Sequence, residues 1–311
     1  MLQYQPSIQL RELVTQLSEK VAVDKIFLLG IAAANQPVNS VFHPCDHGGE
    51  QIEGYFLLVL TLPSEKRSDD TVQDILEQTN RRLLPVHTMV YPSKVFHHWL
   101  DEGQAFAVKV AEQAPLLFDA KIIPLRIPPY PPEEAWSERR RQLMAQGYHR
   151  SEMFLSGAKI FVRRKEYNLA AFLLHQATEH ACIAFLLQFA GLKTGTHNLD
   201  KLLRYTTMIS NQVADHFPRR SKSDKDLFRL LQKAYIHSRY KEDFSLSADQ
   251  AETLLHRVEQ MLKCLAPARE SGMVSEEEVL YCTDPCSFDQ WADESCDFPE
   301  LLLPARIALF A

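Results

Sequence analysis

The amino-acid sequence predicts an α/β half followed by an all-helical half, and three observations carry that prediction. Short apolar runs alternate with amphipathic helical stretches up to about residue 126, the pattern of strands and helices layered on one sheet. Four prolines then fall within residues 128–132. Proline fixes φ and has no backbone donor, so this run is a stiff, extended connection and neither helix nor central strand. Beyond it, apolar residues recur at helical spacing almost throughout. The length of 311 residues suits about two domains, each able to bury a core. The divisions read as an α/β domain over 1–126, a proline-rich linker over 127–132, a helical bundle over 133–266 and an acidic tail over 267–311.

In chain order, Ile8, Leu10, Leu13, Leu17 and Val21 share one face of a helix over 7–21. The apolar run 25–30 reads as a buried strand that runs into a turn at Gly30, followed by a polar loop over 35–51. A second buried strand spans 55–61, a helix 69–84, and a third strand 85–91, where Val86, Thr88 and Val90 alternate. Helices over 93–101 and 103–113 precede a short apolar run at 116–119. The second half predicts helices over 133–164, 166–190 and 197–215, the last with Leu199, Leu202, Leu203, Thr206 and Ile209 on a stripe. A basic loop at 218–222 leads to a helix over 224–240. Ser247 and Gln250 make a capping-box pattern for a final helix that turns Leu254, Leu255, Val258, Leu262 and Leu265 inward. Helices joined by short loops make a bundle.

The net charge of −6 is unevenly spread. Residues 271–311 hold nine acidic side chains and one basic, a net of −8, so the rest of the chain carries +2. The N-terminus lacks the basic and apolar regions of a secretory signal. The apolar stretches read as falling short of the ~18 residues of a membrane span. Cys182 and Cys264 sit in apolar helical patterns as small hydrophobes. A cytoplasmic protein with no membrane contact is the expectation.

His175, Gln176, Glu179 and His180 lie on adjacent turns of an otherwise apolar helix. Buried polar groups are costly unless paired, so each needs a partner on a neighbouring helix. A structural network and a binding site are both compatible with the pattern. The run Gln176-Ala-x-Glu179, then Gly191, Thr196-His-Asn-Leu-x-x-Leu202 and Ala234-Tyr-Ile-x-x-Arg-Tyr240, resembles the HEPN family over about 133–266. That resemblance implies a homodimer whose polar helix faces meet in a groove for a nucleotide or RNA. The candidate ligand-binding residues are then His175, Gln176, Glu179, His180, His197, Tyr235, Arg239, Tyr240 and Lys241. Nuclease members carry an Arg followed four to six residues later by a His. Arg239 stands at the arginine position, but residues 240–246 contain no histidine, so no catalytic residue is assigned. An RNase built on His175, His180 or His197 stays open as an alternative, and so does a scaffold whose polar cluster is structural. Between Arg219 and Lys241 eight basic residues outnumber Asp224 and Asp226, a local +6 that suits phosphate or a solvated helix face.

Over about 1–125 the strand, Gly30, loop and second strand resemble the DNA-polymerase-β-like nucleotidyltransferase fold. Active members hold the triphosphate with Gly-Ser after the first strand and bind Mg²⁺ through three aspartates. Here Gly30 is followed by Ile31, Gly54 and Phe56 replace the aspartate pair, and His87 or a neighbour replaces the third. The resemblance therefore implies a degenerate module without nucleotidyl transfer, and no cofactor. Two cysteine and histidine groups, His43/Cys45/His47 and Cys282/Cys286/Cys296, lack four ligands at standard spacing. They read as metal-free.

Overall fold

The computed structural model describes residues 6–34, 37–45, 51–79, 84–126, 133–241 and 243–270. The proline-rich linker, the acidic tail from 271, His47, Cys282, Cys286 and Cys296 lie outside the described residues. The first half runs α1 (Ile8–Lys20), β1 (Val23–Ala33), β2 (Asn39–Ser40), β3 (Ile52–Thr61), α2 (Asp69–Thr79), β4 (Val86–Pro92), α3 (Ser93–Asp101), α4 (Ala105–Gln113) and β5 (Leu116–Asp119). The second half is helical: α5 (Glu133–Arg163), α6 (Tyr167–Ala190), α7 (Leu199–Thr207), α8 (Gln212–Asp215), α9 (Lys222–Tyr240) and α10 (Ala248–Glu270). The expected succession of a small α/β layer and a helical bundle is what the chain forms.

The sheet order is β2-β1-β3-β4, with β5 also paired to β1. β1 is antiparallel to β2, β3 and β5, whereas β3 and β4 are parallel and joined through α2. A parallel pair needs such a crossover, so the sheet is mixed. β1 and β3 are buried along most of their length because both faces are covered. Ile26, Leu28, Leu57 and Val59 pack with Leu10, Leu13 and Leu17 of α1 and Val72 and Leu76 of α2. Phe27, Leu29, Phe56, Leu58, Leu60 and Met89 point the other way, into an apolar cluster that continues through α3, α4 and the bundle.

Several local expectations change. Gly30 does not end its strand: it pairs with Phe56 on one side and Ser40 on the other. A Cβ there would stand 3.0 Å from the Asn39 carbonyl oxygen, so the glycine serves close approach of the short strand β2. The helix expected over 197–215 is two helices broken at 208–211, where the Ser210 hydroxyl accepts the Gln212 N–H at 3.2 Å. Such local side-chain bonds compete with helix continuation. α9 begins at Lys222 because Ser221 and Asp224 form a reciprocal capping box. α6 is long and apolar enough to cross a membrane by length and composition, but most of it is buried among its neighbours, as in a core helix. It ends at Gly191, whose φ of +66° suits glycine. A Cβ at that position would lie 2.7 Å from the Ala105 Cβ, so the end of α6 presses on α4.

Polar contacts tie the sheet to α7. The Ser40 hydroxyl donates to the Met208 carbonyl, and Tyr205 donates its hydroxyl to the Thr88 carbonyl at 3.2 Å. Arg204 reaches Glu77 at 2.9 Å and His87 Nδ1 at 3.0 Å. At the other end of β1, the fully buried Lys25 contacts Asp24 at 3.2 Å and Asp119 at 3.0 Å. Ser93 donates to the second Asp24 oxygen at 2.7 Å, so the buried carboxylate is satisfied on both sides.

Candidate nucleotide-binding face

α6 supplies the centre of the site. Its residues His175, Gln176 and Glu179 face α9 and the segment before α7 because they are three and four positions apart on one helix. The Glu179 carboxylate is buried, and one oxygen accepts from His197 Nδ1 at 2.9 Å. The other accepts from the Gln176 amide at 3.4 Å and stands 3.3 Å from His175 Nε2. His175 Nε2 lies off hydrogen-bond angle, so that last contact is electrostatic rather than a formed bond. His175 Nδ1 is 3.0 Å from the Leu231 carbonyl and donates to it. Burial pushes the Glu179 pKa up, but the two histidines outweigh it and bring the pKa down to about 2. His197 moves the opposite way, raised first by its bond to Glu179 against partial burial and the charge of Arg239.

Tyr235 of α9 joins these groups. Its ring stacks with His175 at 5.2 Å and with His197 at 4.9 Å between centroids. Arg239, one turn on, donates Nε–H to the Tyr235 carbonyl at 2.8 Å. Its guanidinium lies 4.7 Å from the Tyr235 ring centroid, 5.3 Å from Phe172 and 5.2 Å from Tyr240. Among the described residues no carboxylate pairs with it. Aromatic faces hold a guanidinium in place without neutralising it. The arrangement is an exposed, oriented cation beside a carboxylate-held histidine.

The structure thus brings together His175, Gln176, Glu179, His197, Tyr235, Arg239 and Tyr240. His175 is fully buried and acts on the site only through its neighbours. His180 turns toward α5, where its ring stacks on Phe154 at 5.4 Å and burial lowers its pKa. The Lys241 backbone closes α9 on the His237 carbonyl, and its side chain has no partner among the described residues. The free basic charge of the 219–241 segment also shrinks. Arg219 bonds Asp200 and lies over Phe228, and Arg229 pairs with Asp226 at 2.8 Å.

A second polar centre sits at the joint of sheet and bundle, where a cavity of about 270 Å³ is lined by Asp74, Glu77, Pro85, Val86, His87 and Arg204. Burial first, and then the charge of Arg204, lower the His87 pKa to about 4. The sequence signal was present in the i,i+4 pair of Asp200 and Arg204, which flanks the apolar stripe of α7. Among the described residues no three His, Cys, Asp or Glu side chains gather as a metal site.

The residues of this face fall within a family match. Residues 145–269 match the model of the HEPN domain. Those residues are similar to a HEPN domain. No curated protein matches the chain. Among solved structures, it is similar to a nucleotidyltransferase-like protein from Exiguobacterium sibiricum 255-15, at 12% identity over 85% of this chain and 78% of that one. The TM-score is 0.28, a likeness too loose to place a residue or a reaction. The HEPN match places α6, α7, α9 and most of α5 and α10 in one domain, with the Glu179 and Arg239 face between its helices.

Proposed function

We propose that this is a non-catalytic, cytoplasmic regulatory protein that binds a nucleotide or RNA through its HEPN domain and works as a homodimer. The observation that carries the reading is Arg239, exposed, oriented by three aromatic rings and left without a carboxylate among the described residues. A cation held this way is available to a phosphate. Fluorescence titration of AMP and a short RNA tests it. Arg239→Ala is expected to weaken both about tenfold, and equal affinity of wild type and variant sinks the binding role.

Lack of catalysis is supported on both halves. Position 56, where the nucleotidyltransferase resemblance asks for an aspartate, is a phenylalanine buried beneath the apolar cluster. Gly30, Phe56 and His87 are neighbours across three strands, so the row that would hold Mg²⁺ and triphosphate carries none of the needed carboxylates. In the HEPN domain no histidine follows Arg239 before Leu246. Labelled nucleoside triphosphate with Mg²⁺ is expected to leave no nucleotidylated product. The dimer is supported by the HEPN assignment and by exposed Met153, Ile160, Leu169 and Phe189 on α5 and α6. Light scattering on the full chain at tens of micromolar tests it, and a clean monomer counts against it.

A second reading has one observation in its favour. His197 is half-exposed with Nδ1 on a buried carboxylate, the way a carboxylate orients a general base. An RNase on this histidine predicts RNA cleavage that disappears in His197→Gln. Intact RNA with the wild-type protein removes that reading.

A further inference from the structure

α9 carries more than Arg239. Lys222, Lys225, Arg229, Lys233, Ile236 and Tyr240 recur every three or four residues and are all exposed, so they form one stripe. The opposite side of the helix buries Leu227, Phe228, Leu231 and Ala234. A merely solvated helix face intersperses acids among its bases. Here no acidic residue stands between Leu227 and Lys241. The two nearer the start are engaged: Asp224 with the cap and with Arg257 at 2.6 Å, and Asp226 with Arg229. Lys222, Lys225 and Lys233 have no ion pair among the described residues. The stripe ends on Tyr240, which is 74% exposed and has the Arg239 guanidinium 5.2 Å from its ring centroid.

A line of unpaired ammonium groups attracts a polyphosphate, and the exposed aromatic ring at its end offers a π face to a base. Bases within a duplex are already stacked and cannot use that face. We propose that the outer face of α9 is a track for a single strand of nucleic acid, with phosphates along Lys222, Lys225 and Lys233 and one base stacked on Tyr240. The track rests on the reading that the HEPN domain binds a nucleotide or RNA, and it names the form of that ligand. From Lys222 to Tyr240 the helix rises about 27 Å, which accommodates up to about eight nucleotides at the stacked spacing of ~3.4 Å. A base at Tyr240 lies beside Arg239, so the track runs into the candidate site.

The test uses the full chain and fluorescein-labelled ten-nucleotide probes: single-stranded RNA, single-stranded DNA of the same sequence, and the RNA duplex, with AMP as competitor. Single strands are expected to bind at least tenfold more tightly than the duplex. The triple variant Lys222→Gln, Lys225→Gln, Lys233→Gln should lose about tenfold in affinity at low salt. Its slope of log affinity against log salt should fall by about 2, since each phosphate contact on a single strand contributes ~0.7. Tyr240→Ala should lose about tenfold with the slope unchanged, and Tyr240→Phe should restore binding because the ring face is kept. DNA binding within a few-fold of RNA assigns the track to both sugars, and binding of RNA alone assigns it to RNA; each supports the track. Circular dichroism confirms that these surface variants stay folded. Wild-type affinity and salt slope in the triple variant, or duplex binding as tight as single-strand binding, overturns the proposal. If AMP binding still depends on Arg239 in that case, the site reading stands and only the track falls. If wild type binds neither probe nor AMP, both fall.

Discussion

Arg204 and Arg239 occupy opposite ends of the same chemical choice. Arg204, at the joint of sheet and bundle, meets Glu77, Asp200 and the His87 ring nitrogen, so its charge is spent within the protein. Arg239, on the face of the HEPN domain, meets rings and a carbonyl instead. A guanidinium satisfied by carboxylates is a structural fastening. One held by π faces keeps its charge for something else. The two polar centres look alike in composition, each with an arginine, a glutamate and a histidine, and the pairing alone separates them.

The largest effect should come from breaking the joint. Glu77 accepts from Arg204, from the Gln73 amide at 3.1 Å and from the Thr88 N–H at 3.1 Å. Glu77→Ala removes the acceptor of the Thr88 N–H and takes one partner each from Gln73 and Arg204, which keeps Asp200, and is expected to cost about 3 kcal/mol in urea unfolding, with AMP affinity unchanged. A loss under about 1 kcal/mol would mean that the joint is no fastening.

Next comes pH. Burial holds the folded pKa of His87 down at about 4, below its ordinary 6.5, so the unfolded chain takes up a proton that the folded chain refuses. Stability from this group is full above pH 6.5 and is lost as pH falls from there toward 4, by on the order of 3 kcal/mol. His87→Gln should flatten that part of the stability profile. His197 has the opposite sign, because its folded pKa is raised. Its contribution is full below 6.5 and fades as pH rises through the folded value. Glu179 adds stability at neutral pH that disappears only as pH falls toward about 2. NMR titration of the two histidines in opposite directions from 6.5 checks the contrast, and a shared direction breaks it.

A smaller change is expected at the end of α6. Gly191→Ala meets both a positive φ and the Ala105 side chain, and should cost about 2 kcal/mol. The smallest stability effect belongs to Arg239→Ala, under about 0.5 kcal/mol, because no buried carboxylate is left behind. A thermal shift as large as that of Glu77→Ala would place Arg239 among the structural arginines.

Much of this architecture was legible in the sequence. Apolar runs located β1, β3 and β4, and helical stripes located most of the bundle, because burial imposes its period directly on composition. Gly30 misled because a glycine after an apolar run signals a turn, and only the approach of Asn39 and Ser40 reveals a strand that continues. β2 has two residues and no period to read. At the site, His175, Gln176 and Glu179 declared themselves as polar residues in an apolar helix, and the partner that Glu179 finds off that helix is His197. His180 looked equivalent to them, but which side of a helix a histidine faces depends on what packs there, and here that is Phe154. The Arg204 centre was missed because it joins residues more than 100 positions apart. Lys25 left a fainter trace, as a lysine beside an aspartate opening an apolar strand.

The cluster that unites the sheet with the bundle has a consequence for synthesis. Translation delivers Ser40 and Thr88 long before their partners Met208 and Tyr205, which lie 168 and 117 residues further on. At roughly 5–20 residues per second, the wait for Met208 is on the order of ten to thirty seconds. Until α5 and α6 follow, α3 and α4 are the helices of that cluster available to Phe27, Leu29, Phe56, Leu58 and Leu60 among the described residues. The nascent chain therefore carries an incompletely sheltered apolar sheet face, the kind of surface that chaperones bind and that aggregation exploits. Loss of the HEPN domain by a nonsense mutation would leave that face permanently without its cover.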